Sequence, residues 1–248
     1  MATDDPAEAS RGSGQSGSPT ARRIVLGARL RRLREAAEIS RAEAGYAIRG
    51  SESKISRLEL GRVSFKPRDV TDLLTMYGVT DSEEREAFLE LVKASNEPGW
   101  WHRYTDMLAD WFQDYLGLEE SASRIHTYEL QFMPGLMQTE DYARAIATRG
   151  WFQVGSQRAE RQVAMRMQRQ SLLAGSDAPK LWAVIDESVL HRPIGGRRVM
   201  LAQIEHLLEL TKRPNITLQV VPYKLSGYGA EGSFTMLRFA LPELPDVV

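Results

Sequence analysis

The chain has 248 residues, no cysteine, 42% hydrophobic and 26% charged residues, and a formal net charge of −1. Those values suit a globular chain of two domains. They exclude disulfides, thiolate metal sites and cysteine nucleophiles, and no apolar run is long enough for a membrane span or a secretory leader.

The expected setting is therefore cytoplasmic. The near-neutral total hides an asymmetry. From Ala21 to Thr80 there are 13 Lys/Arg against 7 Asp/Glu, and from Asp81 to Val248 there are 18 against 23. A basic block beside an acidic remainder is the pattern of a polyanion binder, with chance surface charge as the alternative.

In chain order, residues 1–20 (MATDDPAEASRGSGQSGSPT) offer nothing to bury and read as a disordered tail, with order expected from Ala21. Five short helices follow. RRIVLGARLRRLREAAE sets Val25, Leu26, Leu30 and Leu33 at helical spacing. SRAEAGYAIR opens on Ser40 with Glu43 three residues on, a capping box. SESKISRLEL opens on Ser51. KPRDVTDLLTMYG carries Pro67 in a first turn and stops at Gly78, and DSEEREAFLELVKAS starts on Asp81 with acidic residues behind it. Residues 21–96 thus form an all-helical block.

Composition changes after Pro98-Gly99. WWHRYTDMLADWFQDYLG is aromatic-rich. Its Trp100, Trp101, Tyr104, Trp111, Phe112 and Tyr115 suit core or interface packing, or a small-molecule pocket. Further on, RIHTYEL, KLWAVID, NITLQVVPY and GSFTMLRFA read as strands. TEDYARAIAT, SQRAERQVAMRMQRQSLLA and GGRRVMLAQIEHLLELTK read as helices, and Thr139 is placed to cap the first of them. Residues 97–248 are expected to form a mixed α/β domain. LPELPDVV reads as an extended segment expected to continue past Val248. The fold class is mainly α with an α+β second domain.

Projected at about 100° per residue, Ser51–Leu60 turns Ile55 and Leu58 inward together and Ser53, Ser56 and Arg57 outward, with Lys54 and Glu59 at the edges. Serines let the backbone approach a surface, and Arg57 and Lys54 add positive reach. That shape suits a major groove, or equally an ordinary solvated face. The preceding helix carries small Ala44 and Gly45, which allow a close crossing, and Arg49-Gly50-Ser51 joins the two as a three-residue turn.

The stretch RLRRLREAAEISRAEAGYAIRGSESKISRLELGR resembles the XRE-type, phage-repressor-like helix-turn-helix, whose motif here is Ile55-Ser56-Arg57-Leu58-Glu59-Leu60-Gly61. EPGWW at Glu97–Trp101, ELQFMPGLMQTEDYARA at Glu129–Ala145 and TLQVVP at Thr217–Pro222 extend the likeness to the WhiJ-like transcriptional regulators of actinobacteria. The resemblance implies a five-helix, lambda-repressor-like DNA-binding domain followed by a regulatory domain. It implies a phosphate contact at Arg41, groove-facing Glu52, Ser53 and Arg57 with Lys54 and Ser56 nearby, and an internal ion pair between Arg34 and Glu59. It further implies double-stranded DNA as partner, a homodimer, a small partner protein encoded nearby in an antitoxin-like arrangement, and a nucleoid-associated location. A small molecule sensed by the second domain is the alternative.

Two positions depart from the family pattern. Arg49 stands where the turn glycine is usual, and Glu52 is acidic where a neutral residue is common. Glu52 suits either a cytosine amine or the dipole of its own helix. Arg62, Ser64, Lys66 and Arg68 in GRVSFKPR suit phosphates or a basic surface loop.

No catalytic constellation, metal site or cofactor motif is read. His102, His126, His191 and His206 lack ligand spacing, and Ser188 and Ser226 lack a nucleophile elbow. Asp186-Glu187 at a strand end reads more as a helix cap than as acid/base chemistry. GYGAEG at Gly227–Gly232 matches GxGxxG but stands between strands, so it reads as a loop.

Overall fold

The computed structural model describes residues 17–149, 156–225 and 232–248. The chain divides into two compact units: Met1–Ser121 with Ala240–Pro245, and Ala122–Phe239 with Asp246–Val248. The boundary expected at residues 96/97 therefore falls inside the first unit.

In that unit, α1 (Pro19–Ala36), α2 (Arg41–Ala47), α3 (Glu52–Glu59), α4 (Pro67–Met76) and α5 (Ser82–Ser95) enclose one core of Leu26, Leu30, Ile55, Phe65, Leu74 and Val92 among others. The caps are those the sequence signals: Ser40 and Glu43 close a capping box, the Ser51 side chain accepts from the Lys54 amide, and Asp81 accepts from the amides of Glu83 and Glu84. A short 3₁₀ segment, Trp100–Met107, and α6 (Asp110–Ser121) complete the unit. Trp101 and Tyr104 are buried there, whereas Trp111 is exposed.

The structure includes residues before Ala21, from Gly17 on, and residues 1–16 of the expected tail lie outside the described residues. Ser18 caps α1, Pro19 takes a first-turn position, and Ser18, Thr20 and Ala21 are buried. The reason is non-local: Ser18 donates from its hydroxyl to the Gly117 carbonyl and from its amide to Ser121 Oγ at 2.7 Å. Partners about a hundred residues away leave no trace in local composition.

The second unit is a four-stranded sheet with helices. Its elements are β1 (Arg124–Glu129), α7 (Glu140–Arg149), α8 (Ser156–Arg169), β2 (Lys180–Asp186), α9 (Glu187–His191), α10 (Arg197–Leu210), β3 (Ile216–Val221) and β4 (Phe234–Arg238). The strand order is β3-β2-β1-β4. β1 and β3 both run parallel to β2, and β4 runs antiparallel to β1. Thr139 caps α7 by accepting from the Tyr142 amide at 3.3 Å. Asp186 caps α9 by accepting from the Ser188 amide at 2.9 Å, so that acidic pair serves as a cap. Near the end of the chain Val247 bridges antiparallel to Leu237. Strands flank the GxGxxG match on both sides, but apart from Gly232 the match lies outside the described residues.

Candidate nucleic-acid interface

The α2–α3 pair begins with a close crossing. A Cβ on Gly45 would stand 2.9 Å from the Ser51 carbonyl carbon, so any larger residue would push the start of α3 away. The turn between the helices is a Schellman motif. The Gly50 amide donates to the Gly45 carbonyl at 2.8 Å and the Arg49 amide to the Tyr46 carbonyl at 3.0 Å. That geometry needs a left-handed residue after the helix, and Arg49 supplies it at φ 52°. The departure noted in the sequence thus leaves the turn intact but puts a side chain where glycine costs least. The end of α3 uses the same motif with Gly61 at φ 66°.

Ile55 and Leu58 anchor α3 from beneath, at 1% and 3% exposure. Glu59, at the inner edge, is buried and receives two arginines. Arg34 donates through Nε to Oε1 and through Nη2 to Oε2 at 3.2 Å, and Arg41 donates through Nε to Oε2 at 2.9 Å. Arg34 also donates to the Ile39 carbonyl at 2.8 Å. One carboxylate therefore ties α1, α2 and α3 together. Its hydrogen bond raises the Arg34 pKa above the usual value against the opposing effect of burial. Burial, with the Glu59 charge nearby, pushes the Tyr77 phenol up to about 12.

Arg41 is engaged in part: its Nε donates to Glu59 and the side chain is half-buried, which leaves its terminal nitrogens for the phosphate contact expected of it. Lys54 differs from the outward-reaching role expected of it. Its ammonium lies 2.6 Å from Asp69 Oδ2, which fastens α3 to α4. At the edge of α3, the nearest opposite charge belongs to the neighbouring helix rather than to solvent.

The remaining polar groups do face outward. Glu52, Ser53 and Arg57 are exposed and Ser56 is half-buried. The contact of Arg57 Nε with the Ser53 carbonyl is long, at 3.4 Å. Arg62, Lys66 and Arg68 are exposed beyond the end of α3, with Arg68 at 4.0 Å from Asp72. Two exposed residues went unassigned in the sequence: Arg49, and Tyr46 at 88% exposure. For Arg49 the missing turn glycine was a usable signal. For Tyr46 there was none beyond an aromatic on the polar side of a short helix. The surface sets short serines at the helix among mostly cationic side chains, as suits a helix lying in the groove of a polyanionic duplex.

Among the described residues no helix is long and apolar enough to cross a membrane, and no group of three or more His, Cys, Asp or Glu is arranged to hold a metal ion. Residues 25–88 match the family model of a helix-turn-helix domain, which supports a DNA-binding regulator. A search of curated proteins and a search of solved structures each find no match. Residues 112–248, more than half of the chain, match the model of the domain of unknown function DUF5753, and the chain belongs to that family, with a helix-turn-helix domain at its N-terminal end.

Proposed function

We propose that the chain is a sequence-specific transcriptional regulator that binds a two-fold DNA site as a homodimer, inserting α3 of each copy into a major groove. The observation that carries this reading is the division of labour on α3. Ile55, Leu58 and the Glu59 ion pairs hold it from within, while Ser53 and Arg57 stand free of the core. Ser53, Arg57 and Glu52 read base edges, with Ser56 beside them. Arg62 and Lys66 grip phosphates, and Arg41 has only its terminal nitrogens to offer. Lys54 anchors α3 rather than touching DNA. One helix reads few base pairs, so a dimer with half-sites one helical turn apart supplies the missing specificity. Control of the DNA-bound state by a small partner protein acting on the second unit, as in the WhiJ-like arrangement, is the finer part of this reading.

The test is a binding titration at several salt concentrations, using duplexes selected from a random-sequence library. The logarithm of the affinity should fall linearly with the logarithm of salt, with a slope near −0.9 for each phosphate neutralised. Arg62→Ala and Lys66→Ala should each flatten that slope, and a salt-independent affinity would remove the reading.

Sensing of a small molecule is the second reading. The observation that bears on it is a cleft of about 590 Å³ bordered by Arg23, Asn96, Trp101, His102 and Asp114, which lies within the first unit and not in the sheet unit. A shift in melting temperature on screening small polar metabolites would support that reading.

A further inference from the structure

The turn between β1 and α7 is fixed by side chains from three parts of the sheet unit. It contains a short 3₁₀ segment, Gly135–Met137. Gln138 donates through Nε2 to the Met133 carbonyl at 2.7 Å. Gln170, just past α8, donates through Nε2 to the carbonyls of Gly135 at 3.1 Å and Gln138 at 2.7 Å. Gln203 of α10 donates through Nε2 to the Met137 carbonyl and accepts at Oε1 from the Thr139 amide, both at 2.7 Å. Gln138 and Gln203 are buried, as is Tyr142, whose hydroxyl accepts from the Met133 amide at 3.2 Å. Buried carbonyls need partners, and a turn whose partners are themselves buried side chains keeps its place when a ligand meets it.

Against this turn lie two arginines from the last turn of α8, Arg166 and Arg169. Arg169 comes close because residue 135 is glycine: a Cβ there would stand 3.1 Å from its Nη1. Arg166 is half-buried and donates through Nη1 to Gln138 Oε1 at 3.4 Å, a long bond to a neutral amide. Among the described residues no carboxylate acts on Arg166. Burial holds its pKa below the usual value, and the neighbouring charge is another cation, Arg169. The charge of Glu129 meets Arg169 rather than Arg166. The dipole of α8 favours cations in its last turn, which accounts for their charge but not for half-burying one of them without a counter-charge. None of the Arg166 nitrogens is both buried and unpartnered, so the guanidinium is reached from solvent.

We propose that Arg166, backed by the fixed turn, is a binding site for the carboxylate of a small molecule. One guanidinium lacks a counter-charge, and a carboxylate supplies one negative charge and two oxygens for its planar fork. A phosphate dianion would need a second cation, and Arg169 is already met by Glu129. The proposal rests on the small-molecule reading above and places its site in the sheet unit rather than at the cleft of the first unit.

The test is melting of the full chain with acetate, benzoate, succinate and 2-oxoglutarate at millimolar concentration, against chloride at matched ionic strength and inorganic phosphate. At least one carboxylate should raise the melting temperature saturably and slow hydrogen exchange in residues 133–139, while chloride and phosphate do neither. Arg166→Gln should melt at or above the wild type without carboxylate, because it removes a charge that has no partner, and should raise the dissociation constant at least ~10-fold. A variant that melts well below the wild type without carboxylate would make Arg166 a structural residue and overturn the proposal. A shift that survives in the variant, or that phosphate produces better, would overturn the site or its ligand class and leave the small-molecule reading standing. A panel without effect would overturn the site, and the wider metabolite screen would then judge the small-molecule reading by itself.

Discussion

The outward face of α3 and the Trp182 face of the sheet both bring side chains to solvent, and they are built in opposite ways. On α3 the exposed groups are Glu52, Ser53 and Arg57, and the support is a buried carboxylate shared by two arginines. On the sheet the exposed groups are Trp182 and Phe234, and the support is a ladder of hydrogen-bonded strands. A polar, cationic face loses little in water and gains when it displaces counterions from a polyanion. An apolar face gains by meeting another apolar face. The two faces differ in chemistry, and each half of that contrast can be attacked separately.

The largest effect should come from the support of α3. Glu59→Ala strips the buried Arg34 guanidinium of its counter-charge and should destabilise the first unit by about 3–5 kcal/mol. Hydrogen exchange at the α1 and α3 amides checks this. Ordinary protection in the variant would mean that the ion pairs do not hold the helix.

The two ends of the helix pair should respond in opposite directions. Gly61→Ala places a Cβ 2.7 Å from the Ile24 amide nitrogen as well as forcing alanine to φ 66°, and should cost about 2 kcal/mol or more. Arg49→Gly relieves a left-handed side-chain residue and should stabilise by about 1 kcal/mol. Denaturant midpoints for the first unit decide both.

Lys54→Ala should be smaller, a loss of about 1 kcal/mol from the half-buried pair with Asp69, with the slope of DNA affinity against salt unchanged. A slope reduced by about one unit would return Lys54 to the phosphate-binding set.

The smallest effect concerns the sheet unit. Burial, aided by Arg213, lowers the His206 pKa, and burial with Arg238 and Arg124 lowers that of His126. The unfolded chain therefore takes up these protons first as pH falls. The associated stability is full above about 6.5 and is lost as pH drops through the folded values. His206→Gln should flatten the decline in melting temperature between pH 7 and 6, and an unchanged decline would assign it to other groups.

What was legible in the sequence was local. Caps at Ser40, Ser51 and Asp81, the Pro67 start, and the turning of Ile55 and Leu58 away from Ser53 and Arg57 are all written within a few residues. They place the helices and the outward face of α3. The strands were legible by alternation, but their order was not, because pairing in a sheet depends on residues far apart. The same reason covers the rest. Lys54 finds Asp69 on α4, Arg41 finds Glu59 on α3, and Ser18 finds Gly117, each across a distance that no window on the sequence spans. The boundary expected at 96/97, which falls inside the first compact unit, belongs with these. The glycine and proline at Pro98-Gly99 punctuate the chain, yet the segment after them, with buried Trp101 and Tyr104, belongs to the same compact unit as the five helices.

The central claim, that the outward face of α3 reads bases, is tested most directly by selecting preferred sites from a random duplex library with the wild-type chain and with Arg57→Ala. The expected result is a two-fold site for the wild type. In the variant, preference should vanish at one base pair of each half-site and persist at the others. An identical preference in both proteins would contradict the account.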